Sequence, residues 1–201
     1  MESAEKLFDQ IVQAGLLIDN NWKRKQGNDL DNKTKFIYSC NNLADLTFNF
    51  SQFNLNDEER TYAIHRWRNF KRHEAWLSLL SESVDTFELE SNQFNRTRDF
   101  SILVRGTRNF FDLKVTRFPN SISTDLSDFE LANWFYTNQS SQGRQHFENR
   151  FFVVGEPESS LYELDLAKKT LVNFSEDIPK HCHSLTHQSG STSTAVILRH
   201  A

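Results

Sequence analysis

The sequence predicts an α/β protein with a mixed central β-sheet between helices, and three observations predict it. A long helical pattern opens at Asn56, three short apolar-alternating stretches follow between Val84 and Thr116, and a capped helical segment then leads into the apolar run Arg150–Gly155. That order of helix, three strands, helix and strand is the frame of a mixed sheet. At 201 residues the chain suits a single domain over 1–201 and is long enough for a proper core. The central frame covers about residues 57–155, with an N-terminal helical extension over 1–56 and a C-terminal extension over 156–201.

Residues 2–18 repeat apolar side chains at helical spacing (Ala4, Leu7, Phe8, Ile11, Ala14, Ile18) and predict an amphipathic helix. The polar run Asp19–Lys35 predicts a loop. Phe36–Phe53 is compatible with a strand through its aromatics or with a helical turn around Asn41–Leu46. Asn56, followed by Asp57, Glu58 and Glu59, supplies a capping residue and a negatively charged first turn, where the helix dipole favours acids. The helix runs to about Ser81, with the stripe Ala63, Trp67, Phe70, Glu74 and Leu77 facing the sheet. A carboxylate at Glu74 needs a partner there, either a neighbouring cation or a metal site.

Val84–Glu90 reads as the first strand, and Arg98–Val104 and Phe110–Thr116 as the two strands of a hairpin turned by Arg105–Asn109. Side chains alternate between the faces of a strand, so Asp112 and Lys114 share one face while Phe111, Leu113 and Val115 share the other. In the preceding strand Phe100, Ile102 and Val104 are the apolar side, which puts Asp99 on the other side at the strand's start. Two carboxylates and an ammonium thereby converge at one end of the hairpin, an arrangement suited to a metal ion and water. Ser127 with Glu130 forms a capping-box pattern that opens a helix extending to about Phe147. Arg150–Gly155 suits a buried parallel strand. Leu161–Leu166 and Thr170–Phe174 predict a second hairpin, Ser175–Thr192 a polar stretch, and Ser193–Arg199 a final strand.

Asp99, Asp112 and Lys114, set on this order of elements, resemble the PD-(D/E)xK nuclease superfamily, the restriction-endonuclease-like fold. Its pattern is an acid at the start of one strand and acid-x-Lys on the next; Arg98 stands where the family often has proline. The resemblance implies a restriction-endonuclease-like core and an Mg²⁺-dependent endonuclease acting on double-stranded DNA, with Mn²⁺ able to substitute. It further implies a homodimer of the restriction type. Asp99 and Asp112 would hold the metal, with the Leu113 carbonyl a further ligand and Glu74 assisting, and Lys114 would stabilise charge developing on the phosphate. A competing class is a module on the same fold that binds nucleic acid or protein without cutting.

The net charge of −4 argues against a protein that coats DNA generally, yet Arg60–Asn120 holds eleven Lys and Arg against seven Asp and Glu. Arg66, Lys71, Arg72, Arg105, Arg108 and Arg117 from this basic segment are the candidate phosphate contacts. His181, Cys182 and His183 match no common zinc spacing, and surface histidines account for them. The chain lacks a glycine-rich phosphate loop and a Gly-x-Ser-x-Gly elbow, which disfavours nucleotide hydrolases and the simplest serine hydrolases. With no run of transmembrane length, no signal pattern and only two cysteines, the expected location is the cytoplasm.

Overall fold

A computed structural model describes residues 2–18, 29–83, 87–91, 100–107, 109–138, 148–187 and 190–198. The chain forms two compact units, Met1–Ala75 and Trp76–Ala201. The division falls inside one continuous helix.

The first unit is helical. Helix α1 (Ala4–Gly15) starts at Ser3, whose hydroxyl accepts from the Lys6 amide, and buries Leu7, Phe8, Ile11 and Ala14 as the heptad-like spacing requires. A short α2 (Asp29–Lys33) and a 3-10 turn (Lys35–Ser39) lead to α3 (Leu43–Gln52), capped by the Asn42 side chain. The long α4 (Asp57–Ser83) opens with a reciprocal cap: Asn56 Oδ1 accepts from the Glu59 amide at 3.0 Å, and Glu59 Oε2 accepts from the Asn56 amide at 3.0 Å. Ile37, Cys40, Leu46, Phe50, Leu55, Ala63 and Trp67 form this unit's core. Trp67 Nε1 donates to the Cys40 carbonyl, so the largest core side chain leaves no orphan polar atom.

The second unit is a six-stranded mixed sheet in the order β1-β2-β3-β4-β6-β5. Its strands are β1 (Phe87–Ser91), β2 (Phe100–Val104), β3 (Phe110–Arg117), β4 (Arg150–Gly155), β5 (His183–His187) and β6 (Gly190–Ile197). β1, β2 and β3 are antiparallel neighbours, whereas β3, β4 and β6 run parallel. Helix α5 (Asp128–Thr137) covers one face, with Leu131, Ala132 and Tyr136 packed on Phe152, Val154 and Val196. Helix α6 (Leu164–Glu176) covers the other, where Phe174 meets Phe87 and Phe151, and Phe111 stacks on Phe151 at 4.0 Å. β4 is buried along its whole length, as a central parallel strand with both faces covered must be.

Two expectations are corrected. The stretch expected as a second hairpin is a 3-10 turn (Glu158–Tyr162) followed by α6, because Ala167, Leu171 and Phe174 bury one helical stripe rather than a strand's alternate residues. Part of the Asp19–Lys35 loop is α2, with 19–28 outside the described residues. The polar 175–192 stretch contains α7 (Ile178–His181) and the edge strand β5, in which Leu185 alone is buried. Phe36–Phe53 resolves into the 3-10 turn and α3. Helix α5 begins at the expected capping box and ends at Thr137; residues 139–147 lie outside the described set.

Candidate functional site

Asp112 and Lys114 project from the same face of β3, and Lys114 Nζ lies 3.0 Å from Asp112 Oδ2. The parallel register sets Arg150 of β4 directly opposite Asp112, and Arg150 Nε donates to the same oxygen at 3.0 Å. Arg150 Nη2 reaches Glu148 Oε2 at 3.4 Å. The result is an alternating chain of charges, Lys114, Asp112, Arg150, Glu148, whose centre is buried and whose two ends reach water: the Arg150 side chain is 7% exposed and that of Lys114 42%. The register continues the row to Thr194 of β6, opposite Arg150.

Backbone bonds hold this row in place. Asn149 accepts from the Asp112 amide through its carbonyl at 2.9 Å, donates through Nδ2 to the Phe110 carbonyl, and accepts through Oδ1 from the Ser193 amide. Just ahead of β4, its side chain thus ties the start of β3 to the middle of β6. Tyr136 of α5 lies over Arg150, with the guanidinium 5.8 Å from the ring, and donates its hydroxyl to the Glu148 carbonyl at 2.6 Å. Burial pushes the Tyr136 phenol up to about 12; the Arg150 charge and the Thr194 and Thr192 hydroxyls pull the other way, and Asp112 adds a small upward push.

The remaining candidates are scattered over the chain. Asp99 and Arg108 lie outside the described residues. Leu113 is fully buried and pairs with Phe151 in the parallel ladder. Glu74 belongs to the first unit, where its Oε2 accepts from Lys71 Nζ at 2.7 Å. Arg66 is buried among Asp31, Thr34 and Tyr38, donating to the Asp31 and Thr34 oxygens and to the Tyr38 hydroxyl. Lys71 and Arg72 are also buried. A phosphate would reach these three only by drawing them out of the unit. Arg105, in the β2–β3 turn, and Arg117, at the end of β3, are exposed.

Among the described residues no group of three His, Cys, Asp or Glu is placed to hold a metal ion. His183 begins β5 and meets the Phe129 ring edge-on at 5.8 Å. Burial, helped by Asp45, pushes the Cys40 thiol up against the Asn49 amide and Lys71, and burial does the same to Cys182, so neither is primed as a nucleophile. Arg150 and Glu148 are the members of the ionic row that sequence reading missed. Their role depends on a pairing between residues 38 apart, and no local pattern announces it.

No family model matches the chain, and comparison with curated proteins and with solved structures gives no match. What the fold and the site define is a mixed α/β protein with an ionic row across its sheet. Among the described residues no helix is long and apolar enough to cross a membrane.

Proposed function

We propose that this chain is a metal-dependent endonuclease of the PD-(D/E)xK type that hydrolyses DNA phosphodiester bonds. The observation that carries the reading is the pair Asp112 and Lys114 side by side on β3, between antiparallel β2 and parallel β4. The succession α4, β1, β2, β3, α5, β4 supports it, being the core order that the resemblance implies.

The donor set fits a hard divalent cation in part. Among the described residues Asp112 engages Lys114 and Arg150 through Oδ2, and Oδ1 is the carboxylate oxygen that the reading assigns to the metal. Asp112 and Asp99, with the Leu113 carbonyl by resemblance, would hold Mg²⁺ or Mn²⁺. Bound there, the ion would lower the pKa of a water and polarise the phosphate. Arg150 fixes the Asp112 carboxylate, while Lys114, at the wet end of the row, stabilises the charge that develops on the phosphate oxygens. Restriction-type sequence specificity, a homodimer and a cytoplasmic location belong to the same proposal.

The decisive experiment is cleavage of mixed plasmid and phage DNA in Mg²⁺, Mn²⁺ or EDTA, beside Lys114→Ala and Asp112→Ala. Metal-dependent products lost in both variants support the nuclease. Wild type that leaves every substrate intact at millimolar metal sinks it.

One observation favours a second reading, a binding module without catalysis. The buried Arg150 already neutralises Asp112, as a purely architectural ion pair would. In that case the chain binds DNA without cutting it, and Asp112→Ala leaves the affinity unchanged.

A further inference from the structure

β3 and β4 are parallel neighbours, yet the chain leaves their carboxyl ends toward opposite faces of the sheet. After Arg117 it passes to α5 on one face; after Gly155 it passes to the 3-10 turn and α6 on the other. Two adjacent strands whose outgoing segments part in this way leave a crevice between them, which is where open α/β sheets bind their ligands. Here that crevice has a volume of about 450 Å³ and is lined by the residues that directly follow the two strands. It lies about 16 Å from Asp112, five residues further along β3 at the rise of an extended strand.

The walls differ in charge. On the β3 side stand Arg117, exposed and without an ion pair among the described residues, and the apolar Pro119 and Ile122. On the β4 side stand Glu156, Pro157 and Glu158, with Glu158 Oε1 held by the Tyr162 hydroxyl at 3.2 Å. The floor is fixed: the Phe118 amide donates to the Gly155 carbonyl at 3.0 Å, and Leu161 fills the space a side chain at Gly155 would need. Among the described lining residues one cation stands beside two carboxylates, a mixture of signs that disfavours a polyphosphate or a nucleic-acid backbone. A ligand with an anionic end, a cationic end and an apolar body meets every wall, and the volume suits something larger than a single amino acid.

We propose that this crevice is a second binding site, independent of the ionic row, for a small zwitterion of dipeptide size. The ligand's carboxylate pairs with Arg117, its ammonium faces Glu156 and Glu158, and its apolar side chains lie between Ile122 and Pro157.

Calorimetric titration of the full chain with Leu-Leu tests this, with N-acetyl-Leu-Leu and Leu-Leu amide as end-blocked controls and AMP as an anionic competitor class. The expected result is saturable binding of Leu-Leu with Kd of about 1 mM or tighter, weakened about tenfold by blocking either end. Arg117→Gln should weaken Leu-Leu and leave Leu-Leu amide unaffected. Ile122→Trp, which fills the crevice from a half-buried position, should abolish binding, with an unchanged melting temperature showing that the chain still folds. Absent Leu-Leu binding, equal binding of the blocked peptides, or binding that survives Ile122→Trp overturns the proposal. AMP bound in place of Leu-Leu, and lost on Ile122→Trp, overturns the ligand class.

Discussion

Arg150 Nε donates to Asp112 Oδ2 at 3.0 Å from the residue directly opposite in the neighbouring parallel strand, so one ladder position decides both the charge balance and the geometry of the site. Removing Arg150 strips the largely buried Asp112 carboxylate of one of its two cations, and a carboxylate so stripped is costly. Arg150→Met therefore destabilises the protein by about 3 kcal/mol in urea unfolding, leaving Asp112 with Lys114 alone. Adding Asp112→Leu to Arg150→Met recovers part of that loss. If the double variant is no more stable than the single one, the pair is not the source of the effect.

Asn149 is the backbone staple of the same region, with one side chain bonded to both β3 and β6. Asn149→Ala removes two such bonds and costs about 2 kcal/mol. Amide hydrogen exchange should quicken at Ser193, which loses its acceptor, and stay unchanged along β1.

The Tyr136 phenol titrates at about 12, above its ordinary value near 10. The folded state thus holds this proton at pH values where the unfolded chain has released it. Its contribution to stability is complete below about pH 10 and is lost as the pH rises through 12. Absorbance titration at 295 nm should show a late phenolate transition that Tyr136→Phe removes, and the variant should lose less stability between pH 10 and 12 than the wild type.

Ser127 caps α5 by accepting from the Glu130 amide, and Glu130 returns the contact to the Ser127 amide. Ser127→Ala costs about 1 kcal/mol, while Ser127→Asp, which can accept the same bond, costs much less. Chemical denaturation of the two variants distinguishes the cap from a general effect of the position.

How much of this was legible in the sequence depends on how far each feature reaches along the chain. Asp112 and Lys114 share a face because a strand's period is two, and two residues suffice to say so. The caps at Asn56 and Ser127 are likewise local, and both helices begin where those residues place them. α6 was hidden because short apolar runs such as Leu161–Leu166 suit either period, and only the burial of Ala167, Leu171 and Phe174 together selects the helical one. β5 was hidden because an edge strand needs few apolar residues, and Leu185 is its one buried side chain. Arg150 reads locally as the polar start of an apolar strand. Its partnership with Asp112 exists only once β3 and β4 are in register, and so does the crevice at their far ends.

Gly155 and the Asp112–Arg150 pair set opposite rules for inheritance. A Cβ at position 155 would stand 2.4 Å from Leu161 Cγ, so divergent descendants of this chain keep glycine there or rebuild the turn that follows. Positions 112 and 150 are bound to each other instead: either can drift only if the other changes with it. In a family tree of such sequences, the first would mark itself by constancy and the second by correlated exchange.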